Sequence, residues 1–316
     1  MSDLLVAKGL TKQYGTKIAL NDFDLTIPQG SVYGLLGPNG AGKTTFLRII
    51  NQITAPDKGS VTIAGKPLDK NVIPMVGYMP EERGLYNNMK IGEQALYFAK
   101  LKGLSNAEAN KKTKYWFEKL GIDEWWNKKL TELSKGMGQK VQFVITVLHE
   151  PELLIFDEPF SGFDPVNAQI IANEISELRD KGTTIIFSTH RMESVEEMCD
   201  HIALINVSNK VLDGEINQIK QQFKSGKYFV EIENPLEDLW QNFIQDSDVE
   251  ILKQNEFSKS FNISKPEGLN SNELLHRISE LGHISQYKEA IPSMNEIFLQ
   301  AVNTSTSFSK QKEGVF

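Results

Sequence analysis

Gly37-Pro38-Asn39-Gly40-Ala41-Gly42-Lys43-Thr44-Thr45 is the stretch from which this chain is read. It fits the pattern G-x-x-x-x-G-K-[ST], whose glycines let backbone N–H groups curl around an anion. The apolar run Ser31–Leu36 leads into it, and Thr45–Ile50 leads out with helical spacing. That strand–loop–helix context is what the chemistry requires, because the helix N-terminus adds partial positive charge. In this arrangement Lys43 neutralises the β- and γ-phosphates, and the Thr44 hydroxyl sits on Mg²⁺. Gly37 through Thr45 is therefore expected to hold a nucleoside triphosphate.

Upstream, Leu4–Ala7, Ile18–Leu20 and Phe23–Ile27 read as short strands, broken at Tyr14-Gly15 and Pro28-Gln29-Gly30. Tyr14 lies among turn residues ahead of the loop, either as a plain surface aromatic or as a platform for a purine ring. Downstream, Ser60–Ala64 and Met75–Met79 are strand-like, the latter stopped by Pro80. From about 88 to 150 helical periodicity takes over, through Ile91, Ala95 and Ala99, then Phe117 and Leu120, then Val141, Val144 and Leu148. This is a helical insertion within an α/β domain.

Leu153–Glu158 is an apolar run that ends in two acids. A buried parallel strand delivering carboxylates at its C-terminal edge looks like this, and ligands bind at that edge. Asp157 is suited to hold Mg²⁺, which takes one or two carboxylates plus phosphate oxygens and water. Glu158 is placed to take a proton from an attacking water. A helix follows between Val166 and Arg179, then a second buried strand, Thr183–Thr189, that ends at His190. Ile202–Val207 and Lys210–Leu212 complete the sheet.

Near residue 224 the pattern restarts, with Tyr228, Val230 and Ile232 alternating against polar neighbours. Val249–Leu252 and Phe261–Ile263 are further strands, and helices open at the capping boxes Asn270/Glu273 and Ser293/Glu296. The domain plan is thus 1–222 with its helical subdomain, a small C-terminal α+β domain over 223–304, and a polar, frayed tail from 305 to 316.

A net charge of −7 and a pI near 5.4 disfavour broad nucleic-acid binding, which rewards a basic surface. The single cysteine, Cys199, lies among apolar residues and is expected to be an inert packed thiol in a reducing compartment. The N-terminus does not look like a signal peptide, and no apolar run of spanning length occurs, so any membrane role is expected to go through a partner.

The order of phosphate loop, Leu133-Ser134-Lys135-Gly136-Met137, Leu153–Glu158, Ser161-Gly162-Phe163-Asp164 and His190 resembles that of an ATP-binding-cassette ATPase, over residues 1 to about 222. Gly77–Tyr86 and the small C-terminal domain resemble the ATPase subunits of bacterial type-2 exporters, the sodium-efflux and drug-resistance group. The resemblance implies a P-loop NTPase cassette with ATP and Mg²⁺ as ligands, Glu158 as base and His190 as sensor of the γ-phosphate. Ser134, Lys135 and Gly136, expected just before a helix Gly138–Glu150, would close over ATP held by the loop of a second subunit, and Asp164 would report across that dimer. Partners implied are a second ATPase subunit, identical or related, and an integral membrane transporter subunit docked near Glu82–Ile91, with the chain cytoplasmic at the inner membrane face.

Two positions depart from the family pattern. Glu81 stands where a glutamine usually meets Mg²⁺ and the lytic water; its carboxylate could still ligate the metal. LSGGQ appears as Leu133–Met137, so Lys135 adds a cation and Met137 lacks an amide. These departures leave a second reading, a soluble ATP-dependent switch or regulatory module with little hydrolysis. A GTPase is disfavoured, because Asn209-Lys210-Val211-Leu212 lacks the acid of N-K-x-D.

Overall fold

The computed structural model of the chain describes residues 2–82, 84–266 and 268–313. Arg83, within the exporter-like segment, and 314–316, the end of the expected tail, lie outside the described residues. The chain forms two compact units, one of residues up to Ile216 with those from Gln300 on, the other Asn217–Leu299.

The first unit opens with β1 (Asp3–Tyr14), β2 (Lys17–Pro28), β3 (Val32–Leu36), α1 (Lys43–Ile50), β4 (Lys58–Ile63), β5 (Lys66–Pro67) and β6 (Val76–Met79). Three helices follow, α2 (Ile91–Leu101), α3 (Asn106–Lys119) and α4 (Lys135–Val147). Then come β7 (Leu153–Asp157), α5 (Pro165–Asp180), β8 (Thr184–Ser188), α6 (Met192–Met198), β9 (His201–Asn206) and β10 (Asn209–Glu215).

β2-β1-β4-β5 make an antiparallel sheet, and β10-β9-β3-β8-β7-β6 make a second sheet, parallel except for β10. The strands near the N-terminus are longer than their sequence suggests. β1 and β2 run 12 residues each, and register shifts between Ala7 and Leu10 and on to Lys12 disturb the alternation that would have marked them. β3, β7 and β8 are buried along their whole length, which is why they read as continuous apolar runs. Because β3, β8, β7 and β6 are parallel neighbours, Leu36, Ser188, Asp157 and Met79 all end at one edge. Each strand hands its next residues to the same side of the sheet.

The helical stretch is tied to that sheet by stacked rings. Trp116 of α3 meets Phe143 of α4 edge-on at 5.8 Å, and Phe143 stacks on Phe156 of β7 at 5.7 Å. Cys199 is packed between β3 and β9, where a Cβ on Gly34 would come 3.1 Å from its sulfur, and burial pushes the thiol pKa up. The thiol is free and buried among apolar neighbours, a setting that disfavours the reactive thiolate.

After α7 (Ile216–Gln222), the second unit runs β11 (Lys227–Glu233), α8 (Glu237–Asp246), β12 (Val249–Gln254), β13 (Ser258–Ser264), α9 (Ser271–Ser279) and β14 (His283–Glu289), and α10 (Met294–Glu313) follows. The antiparallel order β12-β13-β11-β14 makes it a split βαβ unit. Trp240, Phe261, Ile263, Leu274 and Ile278 form its core. α8 has no counterpart in the sequence reading: it is short, and Trp240, Phe243 and Ile244 give it barely one apolar turn. Both capping boxes are present, Asn270 with Glu273 and Ser293 with Glu296. Among the described residues no helix is long and apolar enough to cross a membrane.

Candidate functional site

The phosphate-type loop needs glycine at both ends for lack of space. At Gly37 (φ +148°) a Cβ would lie 2.2 Å from the Ile205 carbonyl oxygen, and at Gly42 (φ +124°) 2.5 Å from that of Ala19. Gly42 also precedes α1 as its cap and offers no side chain to the first-turn N–H groups, which stay available to an anion. Lys43 folds back, donating from Nζ to the carbonyls of Gly37 at 2.7 Å and Pro38 at 3.2 Å. Burial lowers its pKa, while the carboxylates of Asp157, Glu158 and Glu81 pull it back up. Beside Lys43, Thr44 is exposed. Tyr14, at the end of β1 and 45 % exposed, lines the same cavity as Asn39, Gly40 and Lys43–Thr45, together with Lys17, which sequence reading passed over.

The acids arrive from β7. Asp157 is 6 % exposed; burial raises its pKa, Glu81 and Glu158 raise it further, and Lys43 opposes them. Among the described residues no three His, Cys, Asp or Glu side chains gather as an ion site by themselves, but carboxylates such as Asp157 and a threonine hydroxyl are the kind of oxygen donors that suit Mg²⁺ when phosphate oxygens and water complete its shell.

Glu158 follows with φ +50° and its N–H bound to the Ser188 carbonyl at 2.8 Å, a left-handed turn that swings the side chain toward the end of β8. There Oε1 accepts from the His190 N–H at 2.9 Å and lies 2.6 Å from His190 Nδ1, while Oε2 accepts from the Thr189 hydroxyl at 3.1 Å. His190 thus rests on the carboxylate of Glu158, with 70 % of its side chain exposed. Nothing in the sequence singled out Thr189. It is 1 % exposed, and its oxygen accepts from the Arg191 N–H as well.

Ser134, Lys135, Gly136 and Asp164 gather elsewhere. α4 begins at Lys135, not at Gly138, because Ser134 is its N-cap and accepts from the Met137 N–H at 3.2 Å. The expected order of motif then helix is therefore corrected: the motif is the first turn of the helix. The Lys135 chain lies over Gly162, and its Nζ is 3.4 Å from Ser161 Oγ. Asp164 caps α5, accepting from the N–H of Asn167 at 2.9 Å and from its amide at 2.6 Å, bonds that hold its carboxyl below the usual range. These four line a second cavity with Met137, Lys140 and Asn167, and no residue lines both cavities. Within one subunit the constellation is divided between two separate cavities.

The family model described as ABC transporter matches residues 20–161, and the one described as ATP-binding protein DrrA1-3-like, C-terminal domain, matches 214–302. The uncharacterized ABC transporter ATP-binding protein YhaQ of Bacillus subtilis (strain 168) is 40 % identical over 95 % of this chain and 98 % of its own. The linearmycin resistance ATP-binding protein LnrL of the same organism is 33 % identical over 67 % of this chain and 69 % of its own. A solved structure of an ATP binding subunit of an ABC transporter superposes with a TM-score of 0.65 at 31 % identity, covering 70 % of this chain and 93 % of that one. With its glycine cradle, its strand-end acids and its DrrA-like C-terminal domain, the chain belongs to the ABC transporter family, as an ATP-binding ATPase subunit.

Proposed function

We propose that this subunit powers an exporter, with the cassette in residues 1–222 and an accessory domain in 223–304 that contributes to dimer contact or regulation. ATP phosphates enter the cradle from Gly37 to Thr45, and Lys43 exchanges the Gly37 and Pro38 carbonyls for phosphate oxygens. Tyr14, on the cavity wall, gives the purine a stacking surface. Thr44, Asp157 and Glu81 would hold magnesium, which would supply neutralisation of charge on the phosphates.

Glu158 is the general base, its carboxylate oriented by Thr189 and His190. His190 is the exposed partner of that pair and therefore the one free to turn toward the γ-phosphate. Ser134, Lys135 and Gly136 of a second subunit, identical or related, close over the nucleotide, with Asp164 beside them at the interface. The membrane subunit docks near Glu82–Ile91. In support, Tyr86 and Tyr97 are 53 % and 41 % exposed there, and Tyr86 stacks on Phe98 at 5.9 Å, leaving a firm aromatic ledge. The chain then works in the cytoplasm against the inner face of the membrane. The relative named for linearmycin resistance supports outward transport.

The observation that carries this reading is the meeting of Lys43, Asp157, Glu158 and His190 at one sheet edge, with Ser134 in a separate cavity. Steady phosphate release by the purified chain, raised by its membrane partner, is the test. Glu158→Gln is expected to lose about 10²- to 10⁴-fold in turnover while still binding ATP. Lys43→Ala should abolish both. Wild-type turnover in Glu158→Gln overturns the assignment of the base, and negligible release by the wild type under all conditions favours a nucleotide-dependent switch.

A further inference from the structure

We infer that Gln142 is a positioning residue for Glu81. From α4, its Nε2 donates to the carbonyl of Pro80 at 2.8 Å, the residue directly before Glu81. A carbonyl can only accept, so the amide nitrogen must face it. β6 ends at Met79, and Pro80 has no N–H to continue a ladder, so the Gln142 amide takes over where the strand stops.

The far end of the same loop is held in the same way. Gln94 of α2, fully buried, accepts from the Tyr86 N–H at 2.7 Å and donates to the Tyr86 carbonyl at 3.0 Å. The loop that carries Glu81 toward Lys43 and Asp157 is therefore hung at both ends from helices of the helical stretch.

Packing alone does not explain Gln142. It is 3 % exposed and flanked on α4 by Val141 and Phe143, and its Oε1 has no partner. A methionine or leucine would fill that space without leaving a buried acceptor unpaired. The amide therefore costs stability, and what it supplies is the bond to Pro80.

Its place on α4 gives that bond a consequence. Ser134 caps the N-terminus of the same helix, about 12 Å away at 1.5 Å per residue. On the proposed function, Ser134 meets the nucleotide of the partner subunit, whereas Glu81 serves the nucleotide of its own. A shift of α4 toward the partner's ATP is then passed through Gln142 and Pro80 to Glu81, so occupancy of one site sets a metal ligand in the other.

The test is a double-mutant cycle in the full-length chain between Gln142→Leu and Glu81→Ala. Two readouts are taken, steady-state phosphate release and the gain that Mg²⁺ gives to equilibrium ATP binding in a Glu158→Gln background. Gln142→Leu alone is expected to lower kcat about 2- to 10-fold, the net worth of one hydrogen bond, with KM for ATP unchanged and Tm not lowered. It should also shrink the Mg²⁺-dependent gain in binding. In the Glu81→Ala background it should change neither readout, because its effect passes through Glu81. Additive losses in the double variant, or wild-type kcat and Mg²⁺ gain in Gln142→Leu, overturn the assignment of Gln142 alone. A Glu81→Ala protein that behaves as wild type in both readouts overturns the role of Glu81 as well, and the inference with it.

Discussion

Thr189, itself 1 % exposed, carries one hydroxyl between Glu158 Oε2 and the N–H of Arg191, both at 3.1 Å. Valine has nearly the same shape and lacks that hydroxyl. Thr189→Val is therefore expected to lower kcat about 3- to 10-fold with ATP binding unchanged, and Thr189→Ser to restore most of it. Turnover and nucleotide affinity measured side by side decide this; equal losses in both variants would mean that packing, not the hydroxyl, matters. The comparison also shows what is legible in a residue. Asp157 and Glu158 stand out in sequence because two acids closing an apolar run are unusual, and Gly37 and Gly42 because the loop pattern needs them. Thr189 and Gln142 are ordinary residue types at ordinary spacings. Their roles exist only through contacts with Glu158 and Pro80, 31 and 62 positions away.

Elements follow the same division. β3, β7 and β8 are readable because both faces are buried, and the helices at Asn270 and Ser293 because their caps are local signals. β1 and β2 are blurred by their bulges, and the start of α4 is hidden because Ser134 is at once motif and cap. The seam of α4, α2 and β6 adds a titration that no local pattern announces. His149, just past α4, donates from Nε2 to the Val76 carbonyl at 3.2 Å, and Lys102 donates to that same oxygen at 2.7 Å. Nδ1 is then the nitrogen left to take a proton, and it is buried without a partner. Burial, with the Lys102 cation beside it, pushes the His149 pKa down to about 4. The folded chain thus keeps His149 neutral where the unfolded chain, near 6.5, takes up a proton. Its stabilisation is complete above about pH 6.5 and is lost as pH falls toward 4, on the order of 3 kcal/mol in all. His149→Gln, which keeps a donor for Val76, should flatten the fall in Tm between pH 7 and pH 5. An unchanged slope would place the acid sensitivity elsewhere.

At the scale of the whole molecule, the separation of the two cavities predicts that activity can be divided between subunits. A chain with Lys43→Ala keeps Ser134, and a chain with Ser134→Arg keeps Lys43. If each catalytic site takes its loop from one subunit and its Ser134 from the other, neither variant alone contains an intact site. A mixed dimer contains one, formed by the loop of the Ser134→Arg chain and the helix cap of the Lys43→Ala chain. Random pairing of equal amounts makes half of the dimers mixed, so the mixture should recover about a quarter of wild-type phosphate release if the sites act independently. Loss of the Ser134 cap costs α4 only about 1 kcal/mol, so the variant should remain folded and bind ATP, which circular dichroism and nucleotide titration check. Recovery that rises with protein concentration would show that the intact site forms on association. A mixture no more active than its two components would mean that identical chains do not share their sites, and that Ser134 serves either its own nucleotide or that of a different cassette.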